Sequence, residues 1–444
     1  MQNVFYIFGI VIFQNPQGDH IMSHELNRRS VMKASAAATA GIGVLSVTGA
    51  ASRKVRVGVM GLGRGLGHIR GLLGVKDVEI AYVCDPDKER IARGLSQVAK
   101  GQEKAPEGVT DFRRMLDDKS VDAITIAAPN FWHAPATILA CAAGKHVYVE
   151  KPGSHNAQEA ELMVKAARKY KRKVQMGNQR RSYDKVAEAV QRIKEGVIGK
   201  IYSGRSWYTN TRPSIGRGRK VAIPTNLDFK LWQGPVPNTN YINNLVHYNW
   251  HWRWSYGGGE MANNGVHSLD IVRWALGVDL PNKATYSGDR YHHDDDQETP
   301  DTGEAVFDFG HCTAIWSGSS CHRRSWEKTP FAAVYGDGGS IVFSGGNQYT
   351  IYDAKGNEVE KQGGPGGDVH HFSNFIESFR NDQPLTSEIK VAQESTMLCH
   401  LANISYRTSK TIDFDPRKNE ITNSCDTTEK LWTRDYQKGW EPKV

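Results

Sequence analysis

A glycine-rich turn, Gly61-Leu62-Gly63-Arg64-Gly65-Leu66-Gly67, follows the short apolar run Val55–Val59 and opens a helical pattern. Such a turn leaves backbone N–H groups and a helix N-terminus free to meet a pyrophosphate. The third glycine of a Gly-x-Gly-x-x-Gly fingerprint would fall on Leu66, so the turn taken alone also fits a structural bend. Its context adds weight. A second apolar run, Val78–Cys84, ends at Asp85, 24 positions after Gly61. An acid there accepts hydrogen bonds from ribose hydroxyls and repels a 2′-phosphate, which favours NAD over NADP. Gly61, Gly63, Arg64, Gly65 and Asp85 are thus candidate cofactor-binding residues, although Asp85 also starts the turn Asp85-Pro86-Asp87.

Lys151 follows another apolar run, His146–Val149. That places it at the carboxyl edge of a parallel sheet, where ligands of open α/β folds bind. Oxidising an alcohol needs a base for the hydroxyl proton. A lysine partly withdrawn from water, beside a cationic nicotinamide, gives up its proton more readily than a free one. A surface pair with Glu150 is the alternative.

These residues need a scaffold, and the pattern supplies one. Strands are predicted at Asp122–Ala127 and Val174–Gly177, and helices at Pro135–Ala143 and Asn156–Tyr170. Asn156 reads as an N-cap, with Glu159 three residues on and an apolar stripe of Ala160, Met163, Val164 and Ala167. Strands alternating with helices imply a doubly wound parallel Rossmann sheet. Further on, helices are predicted at His371–Arg380, with Phe372, Phe375, Ile376 and Phe379 on one face, and at Val391–Tyr406. The tail Asp413–Val444 is polar and is expected to wrap the surface.

At 444 residues the chain exceeds what one core usually holds, roughly 250–300 residues. The net charge of +8 comes from scattered Lys and Arg. Their densest run, Arg168–Lys173, lacks any nucleic-acid motif and reads as a solvated helix end, so no nucleic-acid partner is expected. None of the six cysteines forms a Cys-x-x-Cys pair, which argues against a zinc knuckle or redox motif. Cys312 and Cys321 are left open as a bridge in an oxidising compartment. The run His292-His293-Asp294-Asp295-Asp296 is expected to be a solvated acidic loop rather than a metal site.

Residues 27–33, Asn-Arg-Arg-Ser-Val-Met-Lys, precede a small-residue stretch, Ala34–Ala51. They resemble a twin-arginine export signal, departing from it at Asn27 and Val31. The expectation is an exported, periplasmic protein carried by the twin-arginine machinery. An amphipathic arm is the alternative. The apolar run Val4–Phe13 is unusual ahead of such a signal, and a start at Met22 would remove it.

The stretch Ala143-Gly144-Lys145-His146-Val147-Tyr148-Val149-Glu150-Lys151-Pro152 resembles the Gfo/Idh/MocA oxidoreductases, relatives of glucose–fructose oxidoreductase and inositol dehydrogenase. Pro129-Asn130-Phe131-Trp132-His133 is similar to their Pro-x-x-x-His segment, and Gly257-Gly258-Gly259 with Gly265-Val266-His267-Ser268-Leu269-Asp270 to their Gly-x-His-x-x-Asp segment. With the twin-arginine likeness giving an export region at 1–52, the family resemblance implies an NAD(P)-binding Rossmann domain at 53–180. It also implies a C-terminal α/β domain at 181–444 with an open, mostly antiparallel sheet that serves substrate binding and oligomerisation. It adds Pro129, Asn130, His133 and Glu150 to the cofactor residues and makes His267 share the proton work of Lys151. The implied substrate is a sugar or polyol, and the implied assembly a homo-oligomer (dimer or tetramer).

One departure matters. Many members carry Asp where this chain has Asn263, and an amide orients but takes no proton. The chemistry is therefore either a nicotinamide-dependent dehydrogenation or a closed redox cycle on tightly bound NAD, as in glycosidases or lyases of this fold. A non-catalytic binding protein is the third reading. Substrate contacts are expected from Gln179, Arg180, Tyr248, Trp250, Arg253 and Asn264, because aromatic faces with amide and guanidinium donors suit sugar rings.

Overall fold

The computed structural model describes residues 53–444 and, as a separate unit, the backbone of two short strands, Val4–Ile7 and Ile10–Phe13, which pair antiparallel. The Arg28-Arg29 pair and its small-residue stretch lie outside the described residues.

Residues 53–444 make one compact unit built on two sheets. The first comprises β1 (Val55–Met60), β2 (Val78–Cys84), β3 (Glu107–Val109), β4 (Ala123–Ile126), β5 (His146–Val149) and β6 (Val174–Met176). All are parallel, in the order β3-β2-β1-β4-β5-β6. Strands buried on both faces need largely apolar runs; in β1 the residues from Val57 on are buried, and in β4 Ala123, Ile124 and Ile126 are buried with Thr125. The order reverses between β1 and β4, leaving a crevice at their carboxyl ends.

Helices α1 (Gly65–Leu73), α2 (Lys88–Val98), α3 (Asn130–Ala142) and α4 (Ala157–Lys169) connect these strands. The Asn156 cap is present, its side chain accepting from Glu159 N at 2.9 Å. Helix α3 begins five residues earlier than Pro135 suggests. Pro135 lies within the second turn, so the proline marks the helix interior and Pro129 its true start.

The second sheet is mixed. Its strands are β7 (Ile201–Thr209), β8 (Lys283–Asp289), β9 (Thr302–Asp308), β10 (Thr313–Ser319), β11 (Ala332–Gly336), β12 (Gly339–Phe343), β13 (Gln348–Asp353), β14 (Glu358–Gly363), β15 (Ile412–Asp415) and β16 (Glu420–Ile421). They run β14-β13-β12-β11-β7-β10-β9-β8-β15-β16, antiparallel except between β7 and β10. Helices α5 (Asp184–Lys194), α6 (Val266–Leu276) and α8 (Ile389–Thr408) pack between and against the sheets.

Helix α7 (Val369–Arg380) returns to the first sheet. Its Phe372, Phe375 and Ile376 are fully buried with Leu72, Ile69 and Tyr148. Phe372 sits so close to α1 that a Cβ on Gly71 would stand 2.5 Å from its ring. Truncating Phe372 to alanine is expected to cost about 3–5 kcal/mol, read as a lower urea midpoint. A loss under about 1 kcal/mol would mean that α7 is dispensable to this core.

Two expectations need correction. The tail does more than wrap the surface. Arg434 donates to the fully buried Glu159 at 2.7 and 2.9 Å, and Trp440 meets Trp132 edge-on at 4.9 Å. The acidic run is only partly a solvated loop: His292 and Asp294 are exposed, but the two carboxylates that follow turn inward. Asp295 is 3% exposed and accepts from Ser214 Oγ, Ile215 N and Arg290, while Asp296 accepts from Gly218 N and Arg253. Partners tens of residues away draw these carboxylates inward. All six cysteines are free thiols, Cys312 and Cys321 included.

Candidate active site

The crevice at the carboxyl ends of β1, β2, β4 and β5 opens into a cavity of about 650 Å³. One end is the glycine turn. Gly61 has φ +84°, and a Cβ there would stand 2.6 Å from backbone atoms of Ala127 and Ala128. The loop after β1 therefore lies against the loop after β4 as only glycine permits. At the start of α1, Leu66 N bonds Gly63 O (3.4 Å) and Gly67 N bonds Arg64 O (2.8 Å), while Gly61, Leu62, Gly63 and Arg64 of the turn line the cavity. Asp85 is 5% exposed, and its carboxylate accepts from Leu62 N (2.8 Å) and Asp87 N (3.0 Å). Burial pushes the carboxyl up, against those bonds and the charge of Arg90. Asp85 thus braces the glycine turn, a job its strand-tip position alone does not reveal. This cradle, with Arg90 on its wall, fits the pyrophosphate and ribose of a dinucleotide.

At the other end stands Lys151. Its Nζ donates to Asn263 O (2.7 Å) and Asn263 Oδ1 (3.1 Å). Burial pulls its pKa down, Arg64 and Arg180 adding to the effect, with Glu150 and Glu260 opposing. His267 lines the same cavity, and burial with the charges of Lys151 and Arg180 keeps its ring neutral. Behind them Glu150 accepts from Arg64 Nε and His68 Nε2, both at 3.1 Å. Burial alone would raise its carboxyl. The bond from His68 and the charges of Arg64 and Lys151 outweigh burial and hold it well below the usual carboxylate range. Arg64 also reaches Asp368 at 2.6 Å.

The structure gathers most of the expected residues. Gly61, Gly63, Arg64, Asp85, Pro129, Asn130, His133, Glu150, Lys151, Gln179, Arg180, Tyr248, Trp250, Asn263 and His267 all line the cavity. Gly65 packs behind it against Val59. His133 is fully enclosed, with ring nitrogens 2.5 Å from Pro152 O and 2.8 Å from Ala128 O, so it pins the two loops rather than offering a free nitrogen. Arg253 and Asn264 are not brought to the wall. Arg253 bonds Asp296 and Asn244, each at 3.1 Å, and Asn264 donates to Glu260 at 2.5 Å.

Sequence reasoning missed several neighbours. Glu260 is 4% exposed and pairs with Arg212, whose guanidinium also donates to the hydroxyls of Tyr208 (2.9 Å) and Tyr248 (3.0 Å). His251 stacks on Trp250 at 3.6 Å, and burial pushes its pKa down to about 3. Far along the cavity His247 bonds Asp87 at 2.7 Å, and Asn226 donates to the same carboxylate at 2.8 Å. Residues 226–251 thereby reach from the second sheet's side across the nucleotide end of the crevice. No local pattern marks the contacts of Arg212 with Tyr248 and Glu260 or of Asp87 with Asn226 and His247, which join residues 36 to 160 positions apart.

Residues 55–178 match the GFO_IDH_MocA profile, an oxidoreductase family with an NAD-binding Rossmann fold. Residues 203–441 match the C-terminal alpha/beta domain of the same family. Among curated proteins, the chain is 26% identical over 212 residues to a "Glycosyl hydrolase family 109 protein" of Shewanella sp. (strain W3-18-1), covering 42% of this chain and 46% of that protein. It is 29% identical over 218 residues to one of the same description from Saccharopolyspora erythraea, covering 43% and 47%. These alignments span just under half of the relatives' length. Similar solved structures include aldose-aldose oxidoreductase from Caulobacter crescentus complexed with glycerol (TM-score 0.64, 18% identity, covering 82% of this chain and all of that one). The WlbA dehydrogenase from Bordetella pertussis, solved with NADH and UDP-GlcNAcA, aligns with TM-score 0.62 at 19% identity over 82% and 99%. At such identity these structures share the fold. The two profiles cover both sheets and the motifs at Lys151 and His267, and the chain belongs to the Gfo/Idh/MocA family of NAD-dependent oxidoreductases.

Proposed function

We propose that the protein transfers a hydride between NAD and a hydroxyl-bearing carbon of a sugar or polyol, with Lys151 exchanging the hydroxyl proton. The observation that carries this is Lys151 itself, part-buried, depressed in pKa and tethered by Asn263 on the wall that also holds the glycine turn. When bound, NAD supplies the hydride acceptor or donor. The neutral amine of Lys151 takes the alcohol proton at Nζ. His267, neutral and on the same wall, orients the hydroxyl or relays that proton onward. Arg180 and Tyr248 offer donors to the remaining hydroxyls. The test is to denature the purified protein, identify any released nucleotide, and follow nicotinamide absorbance with a sugar and polyol panel. Turnover that needs neither NAD nor NADP would sink the reading.

Asn263 bears on the proton. An amide beside the ammonium stabilises it less than a carboxylate would. Asn263→Asp is therefore expected to raise the Lys151 pKa and move the alkaline rise of kcat/KM for oxidation up by roughly one pH unit or more. An unmoved profile would remove Lys151 as the titrating base.

Asp85 supports NAD over NADP. Asp85→Ser removes its repulsion and leaves Arg90 to meet a 2′-phosphate. The NAD-to-NADP preference is expected to fall by about tenfold or more, a change of about 1.4 kcal/mol. An unchanged ratio of kcat/KM values would refute this assignment.

A second reading is a redox-neutral glycosidase or lyase that oxidises, eliminates and re-reduces on retained NAD. The curated relatives favour it, as does the latch of His247 and Asn226 on Asp87 over the nucleotide end. Stoichiometric NAD in the purified protein, with glycoside cleavage and no net NADH, would select it. The Arg28-Arg29 segment supports export through the twin-arginine route, which carries folded protein with its cofactor loaded. A homo-oligomer follows from the family resemblance.

A further inference from the structure

Three arginines around the Lys151 end of the cleft are answered by carboxylates. Arg64 pairs with Glu150 and Asp368, Arg181 with Asp270, and Arg212 with Glu260. Arg180 has no such partner among the described residues. The charge of Asp270 reaches it, but the Asp270 oxygens already accept from Arg181 and Ser395.

The side chain is held, yet its far end is open. Arg180 lies in the short turn Gln179–Ser182 after β6. Its Nε donates to Gly345 O at 2.7 Å, and its guanidinium lies over the Phe331 ring, 4.4 Å from the ring centre. Phe331 precedes β11 and Gly345 follows β12, so the second sheet fixes where this charge of the first sheet sits. Neither Nη bonds a described residue, and neither is among the polar atoms sealed from solvent without a partner. Both are left for what enters the cavity, whose wall includes Arg180, Lys151 and His267. The charge of Arg180 acts on Lys151 and His267, which places it at their end of the cleft.

The coenzyme does not answer this charge. The glycine turn that fits the pyrophosphate follows β1, and β6 stands three strands away in the sheet, roughly 14 Å at the usual strand spacing. An oxidised nicotinamide ring is itself cationic and adds to the imbalance. A cation drawn out of water without an opposite charge is costly, and burial pulls the Arg180 pKa down. A guanidinium edge with two free nitrogens matches the two oxygens of one carboxylate. A phosphate dianion would need a second cation, and the neighbouring arginines are already paired.

We propose that the substrate of this cleft is an acidic sugar or polyol, a uronate or aldonate, whose carboxylate is bound by Arg180. Arg180 thus meets a carboxylate where a neutral sugar would place a hydroxyl. This rests on the hydride-transfer reading of the cleft and names its substrate class. The test uses the full chain loaded with NAD. It compares glucuronate, galacturonate and gluconate with their uncharged amides, and glucose 6-phosphate is the phosphate arm. In calorimetry at least one acid is expected to bind about 10–100-fold more tightly than its amide. Nicotinamide absorbance is expected to show the same preference in kcat/KM. Arg180→Met is expected to lower that acid-over-amide ratio by a similar factor, through KM far more than kcat, and Arg180→Lys to restore part of it. A merely structural arginine would leave the ratio where it is. The comparison in the unaltered protein decides the matter even where Arg180→Met fails to fold. Amides bound as well as acids, a ratio unmoved in Arg180→Met, a preference for the sugar phosphate, or no binding of any probe would each overturn the proposal. An acid that binds more tightly than its amide but passes no hydride would support the carboxylate site and overturn the hydride-transfer reading instead.

Discussion

Lys151→Met is expected to lower hydride transfer by about 10²–10⁴-fold while the protein still binds NAD. The reasoning is local. Removing the amine deletes the group that exchanges the proton and leaves Glu150 in the bonds from His68 and Arg64. Fold and nucleotide crevice therefore survive, and the loss falls on kcat rather than on loading. Lys151→Arg sharpens the test. A guanidinium keeps the charge but stays protonated at any working pH, so it should be as inactive as Met. Single-turnover absorbance changes with released nucleotide quantified in parallel would check both. Activity retained in Lys151→Arg would show that the residue acts by charge alone.

The second large effect is on stability. Asp270 is 1% exposed and accepts from Arg181 Nε at 2.8 and 3.0 Å and from Ser395 Oγ at 2.7 Å. Arg181, its side chain 5% exposed, lies over Trp274 at 4.9 Å. Asp270→Ala would leave that guanidinium buried and unpaired, beside the equally buried Arg273. The expected loss is about 3–5 kcal/mol, measured by urea unfolding. Asp270→Asn keeps an acceptor and should lose less. A loss in Asp270→Ala of under about 1 kcal/mol would mean that Arg181 finds another partner, and the pair would not be what fixes α6.

Asp270 also shows what the sequence holds and what it hides. The Gly-x-His-x-x-Asp spacing is visible, but Arg181 is 89 positions away and carries no mark of the pairing. The same divide runs through the molecule. Strand β2 and the Asn156 cap follow from contiguous apolar runs and local hydrogen-bonding, which nearby residues determine. The glycine turn and Lys151 were legible because each closely follows a buried strand, although Asn263, which tethers Lys151, lies 112 positions on. Arg253 was read as a sugar contact because its surroundings are aromatic, yet Asp296, 43 positions on, claims it. Glu260 went unnoticed because its partner Arg212 lies 48 positions back. His133 was located correctly, but its ring faces two carbonyls from separate loops. Periodicity and caps report the local backbone, whereas long-range ion pairs decide which polar side chains remain free for a ligand.

The return of α7 to the first sheet sets a timetable for synthesis. Strand β6 ends at Met176, but Phe372, Phe375 and Ile376 arrive about two hundred residues later. At roughly 5–20 residues per second, the face beneath α7 waits on the order of ten seconds or more after the strands are made. Through that interval Leu72, Ile69 and Tyr148 lack the cover that α7 gives them, and a nascent-chain chaperone has a defined apolar surface to hold. A fragment ending before residue 369 would keep that surface permanently, so the nucleotide-binding half should aggregate when expressed alone and be rescued by supplying 369–380 on the same polypeptide.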